Sequence, residues 1–196
     1  TIDYKFWLNA ALAPGLANKP TSGLAFIFNA PMMTLHSTGD PRLTDDWPSL
    51  PTGPDYQFTW PYYQGVDYSR LSEWQNWLGF FEYPQAPEDF IGVYDHTTDQ
   101  GVVRVFPREK APGTKGFGWG QPMPWEWWTD EESGGVELHG GVAPTFWDTA
   151  ALAPGKTKAW TEVWYPFQAL DELSDATDDA AMWVYEDGDT ARIDLQ

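Results

Sequence analysis

Apolar and polar side chains alternate in short runs along this chain, and Gly, Pro, Asn or Asp cuts off each run before a helical period can establish itself. Alternation puts successive side chains on opposite faces of an extended segment, so the chain reads as mainly β, an antiparallel β-sandwich of many short strands. Strands are expected at residues 2–9, 24–28, 32–36, 56–60, 90–94, 101–106, 116–119, 135–139, 159–165, 182–185 and 191–195. Two short helices are expected. One lies around residues 68–77, where Leu71, Trp74 and Leu78 are spaced i, i+3, i+7 after Ser69, and one near 167–173. The run from Asp95 to Gly101 is rich in residues that tolerate left-handed backbone, and it reads as a hairpin connection with His96 in the turn. Pro41, Pro48, Pro51, Pro54 and Pro61 make most of the stretch from Gly39 to Gln64 a surface loop. Its Trp47, Tyr56, Trp60, Tyr62 and Tyr63 argue that the loop is ordered and seeks burial or a ligand.

No composition break or internal repeat divides the 196 residues, so residues 1–196 read as one domain, and 42% apolar residues suffice for its core. A net charge of −18 repels phosphate backbones, which excludes nucleic acid as the expected partner. No cysteine is present, so there is no disulfide framework, thiolate nucleophile or Cys-bound zinc. No run reaches the roughly 18 apolar residues of a membrane span, and no membrane partner is expected. Thr1-Ile2-Asp3-Tyr4 offers neither an initiator Met nor a basic leader, so the chain reads as starting after processing or part-way through a longer gene product. The aromatic content, 13 Trp, 9 Tyr and 11 Phe, suits both a sheet interior and flat faces on which sugar rings stack.

Sorting the strands into faces locates the chemistry. Lys5, Trp7 and Asn9 oppose Tyr4, Phe6 and Leu8; Thr34 and His36 oppose Met33 and Leu35; Glu137 and His139 oppose Val136 and Leu138; Trp160, Glu162 and Trp164 oppose Val163 and Tyr165. These polar rows mix ionisable groups with Trp and Asn, closer to a groove lining than to a solvated face. Glu137 and His139, two apart on one strand, stand side by side, and a carboxylate beside an imidazole runs acid–base chemistry. The alternative is an edge pair without a role. His36 ends a strand at Leu35-His36-Ser37-Thr38-Gly39-Asp40, where the polar groups either orient a ligand or satisfy turn amides. His36, His96 and His139 have no short ligand spacing, and the acidic tracts 171–179 and 186–189 lack the spaced calcium loop, so no metal or other cofactor is expected. Neither a G-x-S-x-G elbow nor a Gly-rich phosphate loop occurs.

The order Gly134-Gly135-Val136-Glu137-Leu138-His139-Gly140-Gly141, then Thr145-Phe146-Trp147-Asp148, then Leu152-Ala153-Pro154-Gly155-Lys156-Thr157, resembles the C-terminal part of galactose-mutarotase-like proteins. There a strand with the catalytic Glu precedes a loop, an L-x-P-G-E turn and a final long strand. Tyr4-Lys5-Phe6-Trp7-Leu8-Asn9-Ala10, Leu35 to Asp40, Gly92-Val93-Tyr94-Asp95-His96 and Glu162-Val163-Trp164-Tyr165-Pro166 are similar to domain-of-unknown-function family 5107, an uncharacterised bacterial family of that superfamily. The resemblance runs over most of residues 2–167. It implies a β-supersandwich with a concave sugar-binding face, on which sugar anomers interconvert. Glu137 falls on the position of the base that takes the anomeric proton. Lys5 stands where epimerases of the superfamily carry the acid His, so either His36 or His139 supplies the proton, or the site only binds. A complete supersandwich needs more residues than these, which implies that the chain is the C-terminal part of the fold. Its N-terminal strands are then missing or come from another segment or chain, and an open edge would pair with that partner.

Three functions compete on this reading. The first is a carbohydrate-active enzyme, aldose epimerase-like or mutarotase-like, with Glu137, His139 and His36 as catalytic candidates. Lys5, Trp7, Asn9, Asp40, Trp60, Arg104, Trp147, Asp148 and Trp164 would bind the substrate. The second is a non-catalytic carbohydrate-binding module in which Trp47, Trp60, Trp147 and Trp164 stack on sugar. The third is a protein-interaction domain whose aromatics are chiefly core.

Overall fold

The computed structural model describes residues 3–9, 23–43, 56–84, 86–120 and 135–196. Six strands form the larger antiparallel sheet, in the order β1 (Asp3–Asn9), β11 (Gly135–Gly141), β10 (Lys115–Trp119), β7 (Trp77–Phe81), β3 (Met32–Thr38) and β4 (Gln57–Thr59). A second sheet has the order β12 (Val163–Gln168), β9 (Gln100–Val105), β8 (Phe90–Asp95) and β2 (Leu24–Ile27). A third joins β13 (Asp175–Ala176), β14 (Ala181–Asp187) and β15 (Thr190–Leu195), and a small ribbon pairs β5 (Tyr62–Tyr63) with β6 (Val66–Asp67). The chain is thus mainly β and antiparallel, with the character of a β-sandwich. Among the described residues no helix is long and apolar enough to cross a membrane.

Alternation decides what fills the layers. Met33 and Leu35 of β3, Leu78 and Phe80 of β7, and Val136 and Leu138 of β11 point inward. They meet Leu24 and Phe26 of β2 and Ile91 and Val93 of β8. Phe80 sits at the centre, with Trp60 at 4.9 Å and Phe28 at 5.3 Å between ring centroids. Burying such rings is worth about 2–3 kcal/mol each, which makes this the principal core. The opposite face of the second sheet is buried as well, since Phe90, Tyr94, Val103, Val105 and Phe167 pack with Leu170, Leu173, Ala176 and Ala181 from the C-terminal segment.

Both expected helices are replaced by other structure. Leu71–Glu73 form a single 3-10 turn, and β7 begins at Trp77, directly after Asn76 at φ 94°. The helical spacing of Leu71, Trp74 and Leu78 is real, but all three reach the core from a turn followed by a strand. The Trp74 indole N–H donates to the Tyr68 carbonyl and its ring stacks on Phe26 at 5.7 Å, tertiary contacts that outweigh helix propensity. Around 167–173, Phe167 and Gln168 close β12, while Ala169 and Asp171 have positive φ and break any helix. The hairpin expected between Tyr94 and Val102 joins β8 to β9, as the sequence indicates. The expected strand at 159–165 occupies 163–168 instead.

Candidate functional site

Because Val136 and Leu138 enter the core, Glu137 and His139 stand on the outer face of the six-stranded sheet. Both are nonetheless shielded, with 4% and 8% of their surface exposed. Glu137 Oε2 and His139 Nε2 lie 2.6 Å apart, a short charge-assisted contact. Register then assembles the neighbours. Lys115 of β10 pairs with His139 on one side and with Phe81 of β7 on the other; Phe117 lies between Glu137 and Gly79 in the same way. Directly opposed residues in an antiparallel pair share a face, so carboxylate, imidazole, ammonium and two phenyl rings form one array.

Strand β3 adds His36 through a bulge. The pairing with β7 shifts between Leu35 and Ser37, and the extra residue is His36, whose Nδ1 lies 2.9 Å from Ser37 Oγ. Gly79 makes the convergence possible: a Cβ there would meet Phe117 Cδ2 at 2.8 Å and His36 Nδ1 at 3.1 Å. The loop after β11 supplies the wall. Phe146 packs edge-on to both His36 and Phe81 with centroids 4.9 Å apart, and Trp147 does so to Phe81 at 5.6 Å. Phe146 and Trp147 keep 44% and 41% of their surface exposed, so each offers a ring to solvent. Asp148 fixes this loop by accepting from the Thr145 amide and hydroxyl, at 3.1 and 2.7 Å.

The array has a cationic side. The Lys115 ammonium is 5.0 Å from the Phe146 ring centre and 5.3 Å from that of Phe117. Burial, then the charges of Lys115 and His139, lower His36 to about 4, which leaves it neutral at physiological pH. Beneath the array, Arg104 of β9 spans the two sheets. Its Nε and Nη2 donate to Glu162 at 2.9 and 2.7 Å, and its Nη1 donates to the His139 carbonyl at 3.2 Å. Burial raises the Glu162 carboxyl and draws Arg104 down to about 9, yet the fork-to-fork contact keeps them an ion pair. Glu82, one residue beyond β7, is also interior; neither of its carboxylate oxygens has a hydrogen-bond partner among the described residues, and burial pushes its pKa well up.

Of the catalytic candidates, Glu137, His139 and His36 come together on this face, and Trp147 and Asp148 belong to its wall. The backbone of β1 places Lys5 opposite His139, Trp7 opposite Glu137 and Asn9 opposite Gly135. The remaining candidates sit elsewhere. Trp60 is a core ring whose indole N–H donates to the Phe28 carbonyl, and it cannot stack on a ligand from there. Asp40 is fully buried and braces Arg42 and the Gln75 amide. Arg104 is completely enclosed, and Trp164 packs half-buried against the core beside it. Trp47 lies outside the described residues. His96 is in the β8–β9 turn. Among the described residues no group of three or more His, Asp or Glu side chains is placed to hold a metal ion.

Four contributors escape the alternation argument: Lys115, Phe117, Phe81 and Phe146. The signal for the first two lies in Lys115-Gly116-Phe117-Gly118-Trp119, where one face is glycine and the other large. Gly116 faces Phe80, whose Cζ a Cβ would meet at 2.6 Å, so the bulky row must point outward.

No family model matches this chain, and no curated protein does either. A solved structure, that of a TPR-domain containing protein from Parabacteroides distasonis ATCC 8503, is similar over 84% of this chain and 24% of that one, with 14% identity and a TM-score of 0.49. The present chain spans about a quarter of that protein's length, and a likeness of this grade carries no argument.

Proposed function

We propose that the outer face of the six-stranded sheet binds a carbohydrate, in the manner of a galactose-mutarotase-like supersandwich, and that Glu137 and His139 act on its anomeric centre. The observation that carries this reading is the 2.6 Å Glu137–His139 contact set beside two half-exposed rings, Phe146 and Trp147. Rings of that kind present apolar faces to the C–H side of a sugar, and the paired groups handle its hydroxyls. In the proposed reaction the Glu137 carboxylate takes the anomeric hydroxyl proton as the bond from C1 to the ring oxygen breaks. Protonated His139 delivers a proton to that ring oxygen. The open-chain aldehyde rotates about its C1–C2 bond and closes by the reverse transfers, so proton and electron pair both balance.

His36 favours a second reading. A neutral imidazole at physiological pH is no ready acid, so acid supply falls to His139, which is already engaged with Glu137. A module that binds sugar without chemistry therefore fits the same face. Exchange spectroscopy of aldose anomers separates the two. Glu137→Gln keeps the shape and removes the base; it is expected to cut anomer interconversion by about 10²–10⁴-fold while sugar affinity stays within about threefold. Wild-type protein that binds sugar without accelerating interconversion would establish the binding module. Protein that binds no sugar would leave an interaction domain.

A further inference from the structure

The third sheet ends in an unguarded strand. β15 has β14 on one side and, among the described residues, no strand on the other. Its pairing with β14 runs without a bulge from Met182 opposite Leu195 to Asp187 opposite Thr190, and it contains neither Pro nor Lys, the devices that commonly keep a sheet edge from pairing. The Ala181 amide donates to the Gln196 carbonyl and the Gln196 amide to the Ala181 carbonyl, both at 2.9 Å. Alternation from that pair turns the backbone groups of Asp194, Arg192 and Thr190 toward β14 and those of Ala191, Ile193 and Leu195 outward. The side chains of the outward trio share a face with Met182 and Val184, and on it Ile193 and Leu195 keep 64% and 70% of their surface exposed. Exposed β-branched and leucine side chains beside an open edge are the surface of a sheet that lacks its next strand.

We propose that this edge pairs with a second copy of the chain, β15 against β15, antiparallel about a twofold axis at Ile193. Three properties of the strand select that partner and that register. Centring on Ile193 is the antiparallel register in which residues 190–196 of the two copies overlap end to end. Ile193 is an outward residue, so its two copies exchange both backbone hydrogen bonds, and Ala191 of each copy does the same with Leu195 of the other. The register then sets Arg192 of each copy directly opposite Asp194 of the other, two pairs of opposite charge on the face away from Ile193. Within one copy Arg192 is held only loosely: its Nε donates to Asp187 at 3.2 Å, both side chains are exposed, and its terminal nitrogens have no hydrogen-bond partner among the described residues. Pairing also makes the apolar strip of Val184, Ile193 and Leu195 continuous across the axis. The contact uses the same edge on both copies, so it closes at a dimer.

Sedimentation velocity of the intact chain from about 5 to about 500 µM tests the assignment, in about 0.15 M salt to screen the repulsion between two copies of net charge −18. Wild-type protein is expected to pass from monomer to dimer within this range. Ala191→Pro removes an outward amide and no bond to β14, and it is expected to weaken the dimer about tenfold or more. Arg192→Asp and Asp194→Arg each set like charges opposite one another at both pairs, and each variant alone is expected to dimerise about tenfold more weakly. Mixed in equal amounts, the two form a heterodimer in which every Asp faces an Arg, with an affinity within about threefold of wild type; the double variant Arg192→Asp with Asp194→Arg recovers likewise. Recovery in the mixture rules out misfolding as the cause of the single losses. A chain that stays monomeric to the highest concentration, or that assembles beyond a dimer, overturns the proposal. A dimer indifferent to Ala191→Pro overturns it too, as does a mixture that associates no more tightly than its components.

Discussion

The ionisation of His36 is set by its surroundings, and its acid response follows from that. Its folded pKa, about 4, lies below the ordinary 6.5, so the unfolded chain binds more protons between those values. Stability from keeping this imidazole neutral is therefore fully present above about pH 6.5 and is lost as the pH falls through about 4. Allowing for partial solvent screening, the loss is about 1–2 kcal/mol. His36→Gln is expected to flatten the decline by that amount, measured as the difference between urea midpoints at pH 7 and pH 4.5 in the variant and in wild-type protein. An identical decline in both would show that the imidazole is not held neutral by this site. The identity of these side chains was readable from alternation: Glu137 and His139 on one face of one strand follow from Val136 and Leu138 being apolar. Lys115 was not readable in that way, because its strand alternates with glycine and so shows no apolar row.

Strands β9 and β11 belong to different sheets, and Arg104 joins them by holding Glu162 with one edge of its guanidinium and the His139 carbonyl with another. The charged residue expected to meet substrate thus supports the strand that carries the Glu137–His139 pair from below. Arg104→Met leaves Glu162 buried without its cation and takes a neighbouring positive charge from Glu82, which is expected to cost about 3–5 kcal/mol. The double variant Arg104→Met with Glu162→Gln is expected to recover at least about 1 kcal/mol, because a neutral amide needs no counter-charge. Equal losses in the single and double variants, by urea unfolding at neutral pH, would exclude the stranded Glu162 carboxylate as the source of the loss. Sequence pattern could not separate this role from ligand binding, since an Arg inside a β run looks the same whether it faces a groove or another sheet. The same blindness explains the helix expected over 68–77. Core-facing spacing is shared by a helix and by a 3-10 turn running into a strand, and only the contacts of Trp74 with Phe26 and Tyr68 decide between them.

Across the molecule, the mainly β, antiparallel character was legible because nearly every strand carries its own alternation and its own Gly, Pro or Asp stop. The layering was less so. A four-stranded sheet buried on both faces needs the C-terminal segment around Leu170 and Leu173 as a cover, and nothing local in that segment announces it. The three histidines now provide a probe of the proposed binding face: His36 and His139 lie on it, and His96 lies in the β8–β9 turn of the other sheet. Imidazole proton–nitrogen correlation spectra, recorded as a panel of aldoses is titrated in, read all three at once. The proposed function predicts saturable shifts at His36 and His139 with His96 unmoved. Spectra in which no sugar moves His36 or His139, or in which His96 alone responds, would contradict it.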